Sequence, residues 1–94
     1  MTKLTEAEIA RRLAEAAPLW RLADGAIERT FDTGNWKATI FALNAVAFRA
    51  EAVNHHPEAT ASYRSLRIRL STHDVGGISD KDIALARDID ALLG

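Results

Sequence analysis

The sequence predicts a chain of three helices and four strands in the order α-β-β-α-β-β-α. Thr5 and Ser79 each begin a helix-capping pattern that is followed by apolar residues at helical spacing. Asp24-Gly25 lies between two short segments of alternating character, which is typical of a β-hairpin. A long apolar stretch, from about Trp36 to Val53, has the length of one further helix.

Size and composition restrict the class of protein. The chain has 94 residues, so we expect a single domain over residues 1–94. Its formal net charge of −1 gives no electrostatic reason to expect nucleic acid or an anionic membrane as a partner. The absence of cysteine excludes disulfides and thiolate metal sites. No apolar run resembles a signal peptide or a membrane span, so we expect a cytoplasmic protein.

The first helix and the first hairpin have clear boundary signals. Thr5 is the expected N-cap, Glu8 completes a capping box, and Pro18 ends the helix. Beyond the proline, the two predicted strands are Trp20–Ala23 and Ala26–Phe31, joined by the Asp24-Gly25 turn.

The second helix, from about Trp36 to Val53, is apolar on nearly every side. Its polar residues form one narrow stripe of Lys37, Asn44 and Glu51. Packing one face of such a helix on a sheet would leave its other apolar sides exposed to water. Either the rest of the monomer wraps it or another subunit covers it. We favour the subunit, because two short helices and one sheet leave little else to cover it.

The second hairpin and the last helix follow. Thr60–Tyr63 and Leu66–Thr72 are the predicted strands, and Gly76-Gly77 ends the second of them. Ser79 is the expected N-cap of the last helix. Its predicted buried stripe consists of Ile83, Ala86, Ile89 and Leu93.

All three histidines lie in two short motifs, 51–58 and 71–77. Histidine can give and take protons near neutral pH, because its ordinary pKa is about 6.5. A two-residue turn at Arg64-Ser65 would place His56 opposite His73 and His55 opposite Asp74 on paired strands. Glu51 lies one helical turn before His55 and therefore points to the same end of the hairpin. The sequence thus predicts that the two motifs converge.

Three kinds of chemistry compete for these histidines. A metal site is disfavoured, because adjacent histidines diverge on an extended chain and the spacing differs from H-E-x-x-H. Nucleophilic catalysis lacks a strained elbow near Ser71 or Thr72. Gly76-Gly77 lacks the dinucleotide-binding pattern. Metal-free proton transfer is the remaining catalytic interpretation. Structural histidines and a metal site stay open as alternatives.

The two motifs together resemble pterin-4a-carbinolamine dehydratases, a family that includes the dimerisation cofactor of hepatocyte nuclear factor. The matching patterns are Glu51-x-x-Asn54-His55-His56-Pro57-Glu58 and Ser71-Thr72-His73-Asp74-x-Gly76-Gly77-Ile78-Ser79-x-x-Asp82. The similarity extends upstream to Trp20 and so covers nearly the whole chain. It implies an α+β fold in which helices pack on one face of a four-stranded antiparallel sheet.

The resemblance also implies an activity. Members dehydrate 4a-hydroxytetrahydrobiopterin to the quinonoid dihydropterin during tetrahydrobiopterin recycling, without a metal or redox cofactor. By this likeness His55 is the leading acid–base residue, His73 is its complement, and His56 mainly orients the substrate. The implied substrate-binding residues are Glu51, Asn54, Pro57, Ser71, Thr72 and Asp74. Among them, Glu51 would tune or orient a histidine, and the backbone of Ser71 and Thr72 would contact the pterin.

Two positions depart from the family pattern, and the long helix suggests a second role. Asn54 stands where many members carry Asp, and Ala59 stands where the best-known members carry Trp. The loss of that aromatic wall would loosen pterin binding or alter its selectivity. Family members can also act as partner proteins through the apolar helix, here 36–53. The expected partners are therefore a small-molecule pterin, further copies in a homodimer or homotetramer, and, as the alternative, a protein bound non-catalytically.

Overall fold

The computed structural model describes residues 1–94 and has the predicted order of elements. The elements are α1 (Glu6–Ala16), β1 (Arg21–Ala23), β2 (Ala26–Asp32), α2 (Trp36–Ala52), β3 (Glu58–Ser62), β4 (Ser65–Leu70), a 3₁₀ turn (His73–Val75) and α3 (Asp80–Leu93). The α-β-β-α-β-β-α prediction is therefore confirmed, with the 3₁₀ turn as an addition. None of the helices combines the length and the apolar character that crossing a bilayer requires.

The four strands form one antiparallel sheet in the order β1-β2-β4-β3. One face of the sheet is apolar and packs on the helices, because side chains alternate along each strand. Its core residues are Ile27, Phe31, Leu66, Ile68 and Leu70, which cluster with helix residues such as Ile9, Leu13, Val46, Leu85 and Ile89. The opposite face carries charged and hydroxyl side chains. The α+β fold that the resemblance implies, with helices on one face of the sheet, is confirmed.

The capping box predicted at Thr5 forms, and Ser79 is the N-cap of α3 as predicted. Thr5 N–H donates to Glu8 Oε1 at 2.9 Å, and Glu8 N–H donates to Thr5 Oγ1 at 3.2 Å. The hydrogen bonds from the backbone and the hydroxyl of Thr5 lower the pKa of Glu8 from its ordinary value. At α3, Ser79 and Asp82 form the equivalent box. These two residues are fully buried, whereas in the first box Thr5 is exposed and Glu8 is only partly buried, so the second box belongs to the interior of the protein.

The first hairpin turn follows from its residues alone. Asp24 has φ of 51° and Gly25 has φ of 79°, the conformation of a turn in which both central residues are left-handed. Glycine adopts this conformation without steric cost, and aspartate tolerates it better than most residues do. The pairing of Ala23 with Ala26 closes the turn as predicted.

The second hairpin has a different register from the one expected. Ser62 pairs with Ser65 and Glu58 pairs with Arg69, so the turn residues are Tyr63 and Arg64. The prediction that His56 lies opposite His73 is therefore wrong. A two-residue slip leaves every side chain on the same face of the sheet, so alternation could not distinguish the two registers.

Tertiary hydrogen bonds hold this second turn in place. Thr33 N–H donates to the carbonyl of Arg64 at 2.9 Å, and Gly34 N–H lies 3.4 Å from the same oxygen. Neither turn residue has a positive φ, so the turn carries no glycine or asparagine signal in the sequence. At the other end of the hairpin, the β3 ladder ends at Glu58, because Pro57 has no N–H to donate.

Helix α2 turns its small residues inward and its large ones outward. Its buried residues are Thr39, Ala42, Val46 and Ala50. The aromatic side chains on the other sides stay in solvent: Phe41 is 66% exposed and Phe48 is 80% exposed. The monomer therefore does not wrap this helix. Coverage by a second subunit stays a prediction.

Candidate functional site

The two adjacent histidines are positioned by the way α2 ends. His55 N–H donates to the carbonyl of Ala50 at 3.1 Å, and Asn54 N–H donates to the carbonyl of Glu51 at 3.2 Å. This pair of bonds is a Schellman motif, and Asn54 takes its left-handed position with φ of 53°. The reversal sends the side chains of His55 and His56 to different surroundings.

His55 turns toward the first turn of α3. Its Nε2 lies 2.6 Å from Oδ1 of Asp82. The side chain of His55 is 12% exposed and that of Asp82 is fully buried. The other oxygen of Asp82 accepts hydrogen bonds from Thr72 Oγ1 at 2.6 Å and from Ser79 N–H at 3.0 Å. Asp82 therefore connects the end of α2, the segment after β4 and the start of α3.

The direction of these hydrogen bonds follows from the number of protons available. Thr72 Oγ1 has one hydrogen, which it donates to Asp82, so Ser79 Oγ donates to Thr72 across their 2.7 Å contact. Ser79 Oγ in turn accepts from Lys81 N–H at 3.3 Å. A carboxylate at Asp82 can only accept, so Nε2 of His55 is the donor in their contact and Nδ1 is left for another partner.

His56 turns outward and pairs with a different carboxylate. Its Nε2 lies 2.7 Å from Oε1 of Glu51, and both side chains are more than half exposed. Glu51 thus orients His56. His56 also lines an open cavity of about 550 Å³, whose other lining residues are Asp24, Gly25, Ala26, Pro57, Glu58, Arg69 and Ser71.

The structure brings together some of the predicted site residues and separates others. Ser71 and Pro57 share the cavity with His56, and Thr72 shares Asp82 with His55. Asp74 is exposed in the 3₁₀ turn, and Asn54 is exposed at the end of α2. Ala59, the second departure from the family pattern, lies in β3 opposite Ile68 and does not line the cavity.

His73 joins neither histidine pair. It is exposed, begins the 3₁₀ turn and takes part in no side-chain hydrogen bond. Side chains alternate along an extended segment, and Thr72 is extended with φ of −111° and ψ of 106°. Ser71 and His73 therefore lie on the side opposite to buried Thr72. No group of three or more histidine and carboxylate side chains has an arrangement that could hold a metal ion.

Sequence reasoning missed two residues of this region. Asp82 is the acid of the capping box, and that signal concealed its second role as the partner of His55. Arg69 was not among the predicted site residues, yet it lines the cavity beside His56. No local signal could have found Arg69, because its place in the cavity depends on the pairing of β4 with its neighbours.

Comparison with known proteins identifies relatives of this chain. The family model described as Pterin 4 alpha carbinolamine dehydratase matches residues 2–92. The chain belongs to this family. A Chloroflexus aurantiacus protein, provisionally named pterin-4-alpha-carbinolamine dehydratase, is 47% identical to this chain over 94 residues. The alignment covers the whole length of both chains. An Aquifex aeolicus protein with the same provisional name is 44% identical, and the alignment covers 97% of this chain and 91% of that protein.

Two solved structures extend the comparison for this member of the pterin carbinolamine dehydratase family. A Brucella melitensis protein, described as a transcriptional coactivator/pterin dehydratase, is 30% identical with a TM-score of 0.91. The alignment covers 99% of this chain and all of the Brucella chain. A pterin dehydratase-like protein, described as a RuBisCO assembly factor of the alpha-carboxysome, is 24% identical with a TM-score of 0.68. The alignment covers 80% of this chain and 89% of that one, and it shows a shared fold only.

Proposed function

We propose that this protein is a hydro-lyase that dehydrates a 4a-hydroxytetrahydropterin, with 4a-hydroxytetrahydrobiopterin as the reference substrate. The observation that carries the proposal is the pairing of His56 with Glu51 beside an open cavity, in a chain of this family. A volume of about 550 Å³ is within the range of small-molecule sites. Its polar lining suits a heterocycle that is rich in donors and acceptors.

The reaction needs proton transfer and nothing else. A base removes the proton of a ring N–H, and the electron pair released forms a carbon–nitrogen double bond at C4a. The C4a–oxygen bond breaks as an acid protonates the leaving hydroxyl, so water and the quinonoid dihydropterin are formed. No electrons are exchanged with a second molecule, so this balance requires neither a metal nor a redox cofactor. General acid–base catalysis of this kind is typically worth about 10²- to 10⁴-fold.

The geometry favours a division of roles that differs from the one implied by the resemblance. We assign the first proton transfer to His56, because it lines the cavity and is hydrogen-bonded to Glu51. His55 is largely buried against Asp82, which supports a role in holding the site together or in presenting Nδ1. His73, on the same side as Ser71, is the candidate for the complementary proton transfer.

The test is turnover of a 4a-hydroxypterin, followed by ultraviolet absorbance, with the wild-type chain and single variants. We expect His56→Ala to lower kcat by about 10²-fold or more. Glu51→Gln should lower kcat less than His56→Ala does. The double variant should have the same kcat as His56→Ala alone, because the carboxylate acts through the imidazole. Glu15→Gln removes an exposed carboxylate from α1 and serves as the matched control.

The outcomes separate the three histidines. Wild-type activity in His56→Ala, with activity lost in His55→Ala, would return the leading role to His55. Activity lost only in His73→Ala would move the chemistry to the 3₁₀ turn. A wild-type protein without turnover would refute the dehydratase proposal.

The exposed face of α2 supports a proposal about assembly. We propose that Phe41 and Phe48 pack against a second copy of the chain, giving a homodimer or homotetramer, because large apolar patches on a soluble monomer mark interaction sites. The alternative is a non-catalytic role in which the same face binds another protein. The Brucella melitensis structure described as a coactivator makes that alternative worth testing.

A further inference from the structure

A row of alternating charges crosses the polar face of the sheet. Arg21 of β1 pairs with Glu28 of β2, Glu28 pairs with Arg69 of β4, and Arg69 pairs with Glu58 of β3. Directly paired residues point to the same face, so the row runs plus, minus, plus, minus across all four strands. Arg69 is the cation at the centre of this row, with a carboxylate on each side.

The side chain of Arg69 is fixed by the first hairpin turn. Its Nη2 donates to the carbonyl of Ala23 at 3.0 Å and to the carbonyl of Asp24 at 3.2 Å. Its Nε lies 3.6 Å from Oε1 of Glu28, and the side chain is only 19% exposed. These contacts hold the guanidinium in one place, so little further entropy is lost when a ligand binds to it.

The guanidinium nevertheless keeps unused donors. Nε is buried without a hydrogen-bond partner, and none of the side-chain hydrogen bonds uses Nη1. Nε is buried beside Glu28, so Nη1 is the donor that remains for a ligand. Arg69 lines the cavity that also contains His56 and Ser71.

The charges around the cavity restrict the ligand. Asp24 and Glu58 line it together with Arg69, while Glu28 contacts Arg69 and Glu51 contacts His56. Carboxylates therefore outnumber the fixed cation, and a ligand carrying phosphate or carboxylate groups would meet repulsion. A neutral ring with a carbonyl or ring-nitrogen acceptor fits better, because it can accept from the guanidinium without adding negative charge.

We propose that Arg69 is a further substrate-binding residue, which donates a hydrogen bond from Nη1 to an acceptor atom of a neutral pterin. This inference rests on the proposed function, and it adds a residue and a charge preference to the same site. Arg69 is not assigned a proton-transfer role. Its contribution is to orient the ring relative to His56, across the floor formed by β4.

The experiment compares two positions on one strand. Calorimetric titration with 7,8-dihydrobiopterin is carried out on the full chain and on Arg69→Gln, Arg69→Lys and Arg67→Gln. Arg67 is the matched control, because it lies on the same strand and face but does not line the cavity. We expect both Arg69 variants to raise Kd about 10- to 100-fold, since a hydrogen bond from a charged donor is lost. Arg67→Gln should bind like wild type.

Turnover and folding are measured on the same samples. KM of the Arg69 variants should rise while kcat changes little, the pattern expected for a group that binds ground state and transition state alike. Arg69→Lys keeps the positive charge beside Glu28. If Arg69→Gln does not fold, the Kd and KM of Arg69→Lys test the proposal instead. Dihydroneopterin should bind more tightly than its phosphorylated forms, because they add negative charge to the cavity.

Three results would overturn the inference. Arg69→Lys and Arg69→Gln binding dihydrobiopterin like Arg67→Gln, in a protein that dehydrates its substrate, would remove Arg69 and leave the proposed function intact. Tighter binding of phosphorylated dihydroneopterin would remove the preference for neutral ligands. A wild-type protein that neither binds nor dehydrates pterins would end both the proposed function and this inference.

Discussion

At the scale of single residues, Asp82 has the largest set of consequences. One carboxylate caps α3 through Ser79 N–H, accepts from Thr72 and holds His55. A fully buried carboxylate is tolerated only when donors surround it, and these donors come from the end of α2, the segment after β4 and the start of α3. The orientation of His55 is thereby tied to the packing of α3. A change at Asp82 should therefore affect both stability and the site.

We predict that Asp82→Asn is destabilised although it is nearly the same size. The amide of asparagine would turn an NH₂ group toward one of the three donors that the carboxylate accepts. An unsatisfied buried donor costs about 1–3 kcal/mol, so the free energy of unfolding in denaturant should fall by about that amount. Turnover should fall as well, because His55 loses the contact that selects its tautomer.

Asp80→Asn is the control for this prediction. It makes the same change in the first turn of the same helix, where Asp80 is exposed and forms a surface ion pair with Arg12. Such a pair contributes about 0–1 kcal/mol. Equal unfolding free energies for the two variants would show that the buried network around Asp82 does not stabilise the fold.

At the scale of elements, the end of α2 decides where the histidine pair points. Asn54 occupies the left-handed position of the Schellman motif, and the two hydrogen bonds on either side of it close the helix. Asparagine is among the residues that tolerate this conformation best. The departure from the family's usual Asp at this position is therefore compatible with the backbone that the site requires.

We predict a contrast between two small substitutions at this position. Asn54→Gly should leave the free energy of unfolding nearly unchanged, because glycine adopts a positive φ freely. Asn54→Ala should lower it by about 1 kcal/mol, because a Cβ without a compensating polar group is strained there. Denaturant unfolding of the two variants side by side measures the difference. Equal unfolding free energies for Asn54→Ala and Asn54→Gly would mean that the left-handed turn is not present in solution.

At the scale of the whole molecule, the outward face of α2 is the main unsatisfied surface. Phe48 is 80% exposed and Phe41 is 66% exposed. The two residues are about two helical turns apart, so they lie on the same side of the helix. Small residues such as Ala42 and Ala50 fill the inward side, so the core gains nothing from the aromatic rings. Pairing with a second copy would remove this apolar area from water.

We predict that the wild-type chain sediments as a dimer or a tetramer and that Phe48→Lys shifts it toward monomer. A charge placed in an apolar interface must be desolvated without a partner, which weakens association strongly. Leu19→Lys is the control, because Leu19 is 67% exposed outside α2. Analytical ultracentrifugation of the three proteins at several concentrations measures the effect. A stable wild-type monomer would instead favour a different protein as the occupant of this face.

Local signals in the sequence were sufficient for much of the fold. The capping boxes at Thr5 and Ser79, the Asp24-Gly25 turn and the alternation of Leu66, Ile68 and Leu70 each depend on neighbouring residues alone. For that reason the order of the elements and the inward faces of the strands could be predicted. The apolar character of α2 was also evident, but which of its sides is buried was not.

The tertiary structure decided the register of the second hairpin and the partner of each histidine. A slip of two residues preserves alternation, so contacts from outside the hairpin, such as the bond from Thr33 N–H to the carbonyl of Arg64, favour the observed pairing. Adjacent histidines look equivalent in the sequence, yet the reversal at Asn54 gives one to Asp82 and the other to Glu51. Sequence alone determined which residues could carry proton chemistry. Packing between distant segments determined which of them face the cavity, because those contacts exist only in the folded chain.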